Sequence, residues 1–151
     1  MILFFDTTDF DAINFALVDP ASGKTKQQKV RMHHFDSEKT LPALDAFLKK
    51  HKVQFGAKAG GEKGASGRSI EKIYFVAGPG SFSGIRVGAS LALAFGFAKG
   101  IPVYALKKNQ VPQNFNRLPE IRAKKIGAIP DLDYGGAPKI TKEKKKQLRN
   151  T

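Results

Sequence analysis

One segment constrains this chain more than any other. Lys72-Ile73-Tyr74-Phe75-Val76-Ala77 is a short, strand-like apolar run, and Gly78-Pro79-Gly80 breaks it. An apolar stretch of helical character then runs from Ser81 or Ser83 to Lys99 and is ended by Gly100. Ile101-Pro102-Val103-Tyr104-Ala105-Leu106 is strand-like again. A strand, a tight turn, a long helix and a second strand make a crossover unit. Such a unit places two parallel strands side by side with the helix across them.

The residues before it predict an antiparallel meander. Residues 1–7 are strand-like and end at Asp6-Thr7-Thr8. Ala12 to Val18 alternates around Ile13, Phe15 and Leu17, as a strand with one buried face does. Asp19-Pro20-Ala21-Ser22-Gly23 is turn chemistry, and Thr25 to Phe35 reads as a longer strand. A helix is expected over 38–52, with Pro42 in its first turn, where a missing N–H does no harm. The Gly-rich stretch 56–69 reads as a loop. The order β-β-β-α-β-α-β predicts an α/β fold: a mixed five-stranded sheet with two main helices against it. Beyond 106 the periodicity fades, and four prolines (112, 119, 130, 138) point to an irregular basic segment over 107–151.

Charge divides along the same line. The chain has 26 Lys and Arg against 13 Asp and Glu, a formal net of +13. Residues 1–106 hold 14 basic and 9 acidic groups (+5), and 107–151 hold 12 and 4 (+8). Lys142, Lys144, Lys145, Lys146 and Arg149 are the densest cluster and the candidate nucleic-acid contact. There is no cysteine, which removes disulfides and thiolate chemistry. Met1–Phe5 lacks the basic region of a signal peptide, and Ile85–Ala98 falls short of the roughly 20 apolar residues of a membrane span. The expectation is a cytoplasmic protein without membrane contact.

The long helix is apolar on two sides. Val87, Leu91, Phe95 and Ala98 make one stripe, and Ile85, Ala89, Leu93 and Phe97 another. A helix lying on a sheet with its far side in water needs one. Something must cover the second: the first helix, the basic tail, or a partner's helix. Arg86, Ala89, Ser90, Leu93 and Phe97 share a side, while Gly84, Gly88, Ala92 and Gly96 are small enough to admit another backbone. With Leu41, Leu44 and Leu48 of the first helix, the side carrying Arg86 is the candidate partner-binding surface. The turn before the helix fits neither a dinucleotide fingerprint nor a phosphate loop, because the third glycine comes late and no Gly-Lys-Ser/Thr is present. Ser81 and Ser83, at the helix start, are candidate anion contacts.

Three motifs together resemble the TsaB (YeaZ) family of tRNA threonylcarbamoyladenosine biosynthesis. They are Met1-Ile2-Leu3-Phe4-Phe5-Asp6-Thr7-Thr8, Ser37-Glu38-Lys39-Thr40-Leu41-Pro42, and the run from Gly78 to Gly88 continued through Gly100-Ile101-Pro102. The resemblance covers about residues 1–106. It implies an actin-like, ribonuclease-H-like (ASKHA) subdomain that pairs through its two helices, as a homodimer or with the catalytic paralogue TsaD. A small ATPase, TsaE, joins that assembly. The role it implies is that of a scaffold and activator of TsaD. Asp36 stands where the family has His, and the second subdomain usual in the family is replaced by the basic segment, whose Tyr134…Pro138-Lys139-Ile140-Thr141 echoes the family's C-terminal end. The expectation is therefore an internally shortened member.

No catalytic residues, metal or cofactor are expected. TsaD-like chemistry uses paired histidines just past the strand 101–106, and here that place reads Lys107-Lys108-Asn109-Gln110. The histidines are His33, His34 and His51, without metal-ligand spacing. Asp6 is read as a turn-capping residue. Three functions remain on the sequence: a non-catalytic TsaD partner, a nucleic-acid-binding module acting through 107–151, and a degenerate ASKHA-type nucleotide-binding protein with a phosphate site at Ser81/Ser83.

Overall fold

The structure, a computed structural model, describes residues 1–33, 36–55, 68–121, 123–126 and 130–136. Its centre is β1 (Ile2–Asp6), five residues buried on both faces. β2 (Ala12–Asp19) pairs antiparallel with β1, and β3 (Lys24–Arg31) antiparallel with β2. On the other side of β1 lies β6 (Lys72–Val76), parallel to it with Phe5 opposite Phe75. β7 (Val103–Leu106) continues the parallel order, and β8 (Lys124–Ile126) closes the sheet antiparallel to β7. The six strands run β3-β2-β1-β6-β7-β8. The meander and the crossover are thus both present, with one strand more than the five expected.

The edge strand β3 is almost wholly polar, KTKQQKVR, and carries Lys24, Lys26, Lys29 and Arg31. Charges there discourage edge-to-edge pairing with another sheet. It ends at Arg31, short of the expected Phe35: Met32 and His33 are no longer strand, and 34–35 lie outside the described residues.

α1 (Thr40–Lys50) follows a 3-10 turn at Asp36–Lys39, and Pro42 does lie in its first turn. Leu44, Phe47 and Leu48 point into the core, where Phe47 stacks on Phe15 with ring centroids 5.6 Å apart. Beyond α1, β4 (Val53–Phe55) and β5 (Arg68–Ile70) pair in parallel as a small second sheet. The Gly-rich loop expected over 56–69 therefore gives up its last two residues to a strand, and 56–67 lie outside the described residues.

The segment after β7 is where the irregular end was expected. Residues 107–121 run as 3-10 turns (Lys108–Gln110 and Phe115–Glu120) and extended links across the sheet face opposite the helices. There Leu118 is fully buried with Ile2, Phe4, Tyr74, Val76 and Leu106. Phe115 meets Phe4 at 4.8 Å between centroids, and Thr25 Oγ1 donates to Asn116 Oδ1. A sheet apolar on both faces needs two covers. α1 and α2 (Phe82–Lys99) give one, and this strap gives the other. Among the described residues no helix is long and apolar enough to cross a membrane.

Candidate functional site

The three motifs, far apart in sequence, meet at one end of the sheet. Asp6 ends β1 by accepting from the Thr8 backbone N–H at 2.8 Å and the Thr8 hydroxyl at 2.7 Å. It is thus a turn cap, as read from the sequence. The Thr8 carbonyl then accepts from Ser81 N–H at 2.7 Å, which fixes the start of α2 against the end of β1. Ser81 is the N-cap of α2, its Oγ accepting from Gly84 N–H at 3.3 Å. Gly100 closes the helix in the left-handed conformation (φ 64°).

The glycines explain why α2 can lie so close. A Cβ at Gly80 would overlap the Thr8 carbonyl, one at Gly84 the Thr7 carbonyl, and one at Gly88 the Thr7 hydroxyl. Gly96 meets Val103 and the Ile101 carbonyl in the same way. Positions 84 and 88, one turn apart on α2, continue this close contact from Gly80 in the turn before the helix. The backbone the small residues admit is this chain's own. Thr7 Oγ1 donates to the Gly84 carbonyl at 2.6 Å and ties helix to strand.

This packing decides which apolar stripe faces out. Ile85, Gly88, Ala89, Ala92 and Gly96 are buried against the sheet. Arg86 and Ser90 are exposed, Leu93 is partly buried, and Phe97 is 94% exposed. On α1, Leu41 is 48% exposed. The partner-binding set read from the sequence therefore divides. Leu41, Arg86, Ser90, Leu93 and Phe97 have surface to offer. Ala89, Leu44 and Leu48 do not: they are buried in this chain's own core, because α1 packs on β2 and α2 on β6 and β7.

A cleft of about 310 Å³ opens where the motifs converge. Thr7, Thr40, Ser81 and Ser83 line it, one or two from each motif, with Phe10 and Phe82 beside them. Ser83 Oγ lies 3.4 Å from Ser81 Oγ, so the two candidate anion contacts do stand together. Ser81 is already engaged in capping. Asp9, the acid in the cleft, is paired with Lys108 Nζ at 2.6 Å. Lys108 stands where the resemblance places metal-binding histidines. An ammonium has no lone pair for a metal, so these residues do not fit one. Among the described residues no three His, Asp or Glu side chains gather as a metal site. Lys142, Lys144, Lys145, Lys146 and Arg149 lie outside the described residues, as do Pro138-Lys139-Ile140-Thr141.

One cluster was not legible from the sequence. Phe82 and Arg86 of α2 meet Tyr134, 48 residues beyond Arg86, on the surface at the start of the helix. Phe82 and Arg86 are spaced i, i+4, which could have paired them. Nothing in the sequence places Tyr134 beside them.

Comparison with known proteins agrees with this construction. The family model described as TsaD, tRNA N6-adenosine threonylcarbamoyltransferase, matches residues 35–121, more than half of the chain. Among solved structures, YeaZ from Pseudomonas aeruginosa is similar with a TM-score of 0.56 and 24% identity, over 70% of this chain and 43% of that one. A second structure, an uncharacterized protein with similarity to peptidase YEAZ from Pseudomonas aeruginosa, has the same TM-score and identity, over 70% and 42%. This chain thus spans less than half the length of these solved relatives. At that identity the likeness concerns the fold, an ASKHA-type α/β architecture. No curated protein matches the sequence. The family match takes in α1, the glycine turn, α2 and β7, and so the outward apolar face and one side of the cleft, and on that match the chain belongs to the tRNA N6-adenosine threonylcarbamoyltransferase (TsaD) family.

Proposed function

We propose that this chain is a non-catalytic subunit in the synthesis of threonylcarbamoyladenosine, the modified adenosine that follows the tRNA anticodon. It holds and activates a TsaD-like catalytic partner through the outer face of α2. The observation that carries this reading is Phe97, a large apolar side chain left 94% exposed. Leu93 lies one turn before it on the same face. Leu41 on α1 adds a second exposed apolar group. Isolated surface hydrophobics are common, but a pair on one helix face is the anchor pattern of helix-mediated docking.

The non-catalytic assignment is supported by Lys107 and Lys108 standing in the histidine positions, and by the ion pair of Lys108 with Asp9. The surrounding assembly, with a TsaE-like ATPase and self-pairing of the free chain in the cytoplasm, follows from the same resemblance.

Mixing the chain with its TsaD paralogue from the same source tests the reading. Size-exclusion chromatography should show one complex. Leu93→Arg should abolish it, and Phe97→Arg should weaken it by roughly 30-fold or more, the loss typical of a binding hot spot. Phe97 is exposed, so its replacement leaves the fold intact. A complex indifferent to both changes removes the interface assignment. Light scattering on the chain alone reports self-pairing.

The cleft favours a second reading, a degenerate nucleotide site, since its 310 Å³ and its serine and threonine hydroxyls suit a small polar ligand. Equilibrium dialysis with ATP and magnesium decides it; absence of binding removes it.

A further inference from the structure

We propose that the outer edge of β3 is a docking site for an extended, acidic segment of another protein, which joins the sheet as a further strand with its carboxylates beside Lys24, Lys26, Lys29 and Arg31. β3 is the last strand on its side of the six-stranded sheet. It pairs with β2 without a break, from Lys24 opposite Asp19 to Arg31 opposite Ala12. The ladder fixes which main-chain groups face out. Met32 N–H donates to the Asp11 carbonyl at 2.7 Å, so this pair is hydrogen-bonded, as is every second pair before it. Val30, Gln28, Lys26 and Lys24 therefore turn their N–H and C=O groups toward β2. Thr25, Gln27, Lys29 and Arg31 turn theirs outward, four donors and four acceptors in a row.

Sheets guard such edges by shortness, proline, a bulge or a covering segment. β8, the opposite edge, is only three residues long. β3 has eight residues, no proline and no bulge, and among the described residues nothing pairs with its outer side. Its one guard is charge, and charge is selective. It repels the same edge of a second copy and attracts a strand of opposite sign.

The four cations are placed for such a strand. All are exposed, β3 holds no acid, and among the described residues none of the four is in an ion pair. Side chains alternate between the faces of a strand. Lys24 and Lys26, opposite Asp19 and Leu17, lie on the face that α1 and α2 cover. Lys29 and Arg31, opposite Asn14 and Ala12, lie on the face of the 107–121 strap. Each face thus carries two like charges two residues apart. The one acid opposite them, Asp19, already accepts from Ala21 N–H and Ser22 Oγ. An incoming strand meets all four at cross-strand distance when its acids stand at positions 1, 3, 6 and 8 of an eight-residue stretch. That pattern reads the same in both directions and so serves a parallel or an antiparallel strand. RNA phosphates use the cations alone, whereas a strand uses the cations and the main-chain groups together. β3 lies three strands from β6, on which α2 packs, about 14 Å by strand spacing. The edge is thus separate from the α2 face and does not depend on the partner reading.

Fluorescence anisotropy with the full-length chain tests the proposal. The probe is a fluorescein-labelled peptide of valine and threonine with glutamate at positions 1, 3, 6 and 8. It should bind one to one, and more weakly as salt rises. Glutamine in place of the four glutamates should lower the affinity roughly fivefold to several-hundredfold, the sum of four cross-strand charge pairs. Methylating the peptide amides that face β3 keeps every charge and should lower it roughly tenfold or more. Lys24→Glu, Lys26→Glu, Lys29→Glu and Arg31→Glu together should lose the glutamate peptide and gain its lysine counterpart, a gain that misfolding cannot produce. A labelled single-stranded RNA is the last probe. RNA binding that is tighter than the peptide's and lost in the reversed variant makes the edge a nucleic-acid surface and overturns the proposal. Peptide binding indifferent to amide methylation reduces it to general charge attraction and overturns it too, as does absence of peptide binding.

Discussion

Gly88→Ala is the sharpest probe of how α2 is seated. On an exposed helix face this change helps, by about 1 kcal/mol of helix propensity. Here the new Cβ would overlap Thr7 Oγ1. That hydroxyl is not free to swing away, because Thr7 is buried and its Oγ1 donates to the Gly84 carbonyl at 2.6 Å. Breaking the bond leaves a buried hydroxyl unsatisfied, a loss of about 1–3 kcal/mol. Moving the helix instead costs about 1–3 kcal/mol of overpacking. Against the propensity gain of about 1 kcal/mol, either route leaves a net loss of up to about 2 kcal/mol. For a chain of this size that lowers Tm by up to roughly 8 °C. Urea and thermal unfolding followed by circular dichroism measure it. The control is the same change in a Thr7→Ala background. Without Oγ1 the nearest remaining atom, Thr7 Cβ, is 3.5 Å away, an ordinary contact. There the alanine should be neutral or stabilising by up to about 1 kcal/mol. If Gly88→Ala stabilises the natural chain, or destabilises both backgrounds equally, α2 does not rest on Thr7. The outward placement of Leu93 and Phe97 then falls with it.

Two further outcomes follow from the same packing. Leu118→Ala empties a fully buried position under the 107–121 strap and should cost about 2–5 kcal/mol by urea denaturation. A loss under 0.5 kcal/mol, the scale of a surface change, contradicts the strap's place in the core. The imidazole of His51 is held below its ordinary value of 6.5 by burial first, then by Lys50 and Lys26. The unfolded chain therefore takes up that proton more readily, so its share of stability is present above about pH 6.5 and is lost as pH falls below it. His51→Asn should flatten the decline in stability between pH 7 and 5; an unchanged slope refutes the assignment.

The meander, the crossover and the bounds of α2 were legible because each rests on a local signal: alternation in β2, the break at Gly78, Ser81 and Gly100 as caps. The small β4–β5 sheet, the strap and β8 were not. Val111, Phe115, Leu118 and Ile121 are spaced 4, 3 and 3, a helix-like interval, but Pro112 and Pro119 interrupt any α-helix there, and they cover the sheet through 3-10 and extended backbone. Lys124-Lys125-Ile126 has no strand character of its own and is a strand because β7 offers it a free edge. The orientation of α2 was half legible. The two stripes and the small residues were visible, but apolarity alone favours burying the large side chains. Close approach reverses that preference, because the helix nearest a strand needs glycine between them.

That reversal links fold to function. The inward face of α2 is taken by Ile85 and by small residues, with Leu91 and Phe95 at the core's margin, and Phe97 falls on the far side. Phe97 is exposed as a consequence of Gly88, Ala92 and Gly96 being buried. The same seating brings Thr7, Thr40 and Ser81 to one cleft. At the start of the helix it sets Phe82 and Arg86 outward, where Tyr134 meets them. A larger residue at position 84 or 88 would lift α2 from Thr7. It should therefore lower both thermal stability and partner binding, whereas Phe97→Arg should lower partner binding alone. Comparing the two variants by thermal unfolding and in the complex assay separates a surface that is merely exposed from one that the packing of the glycines creates.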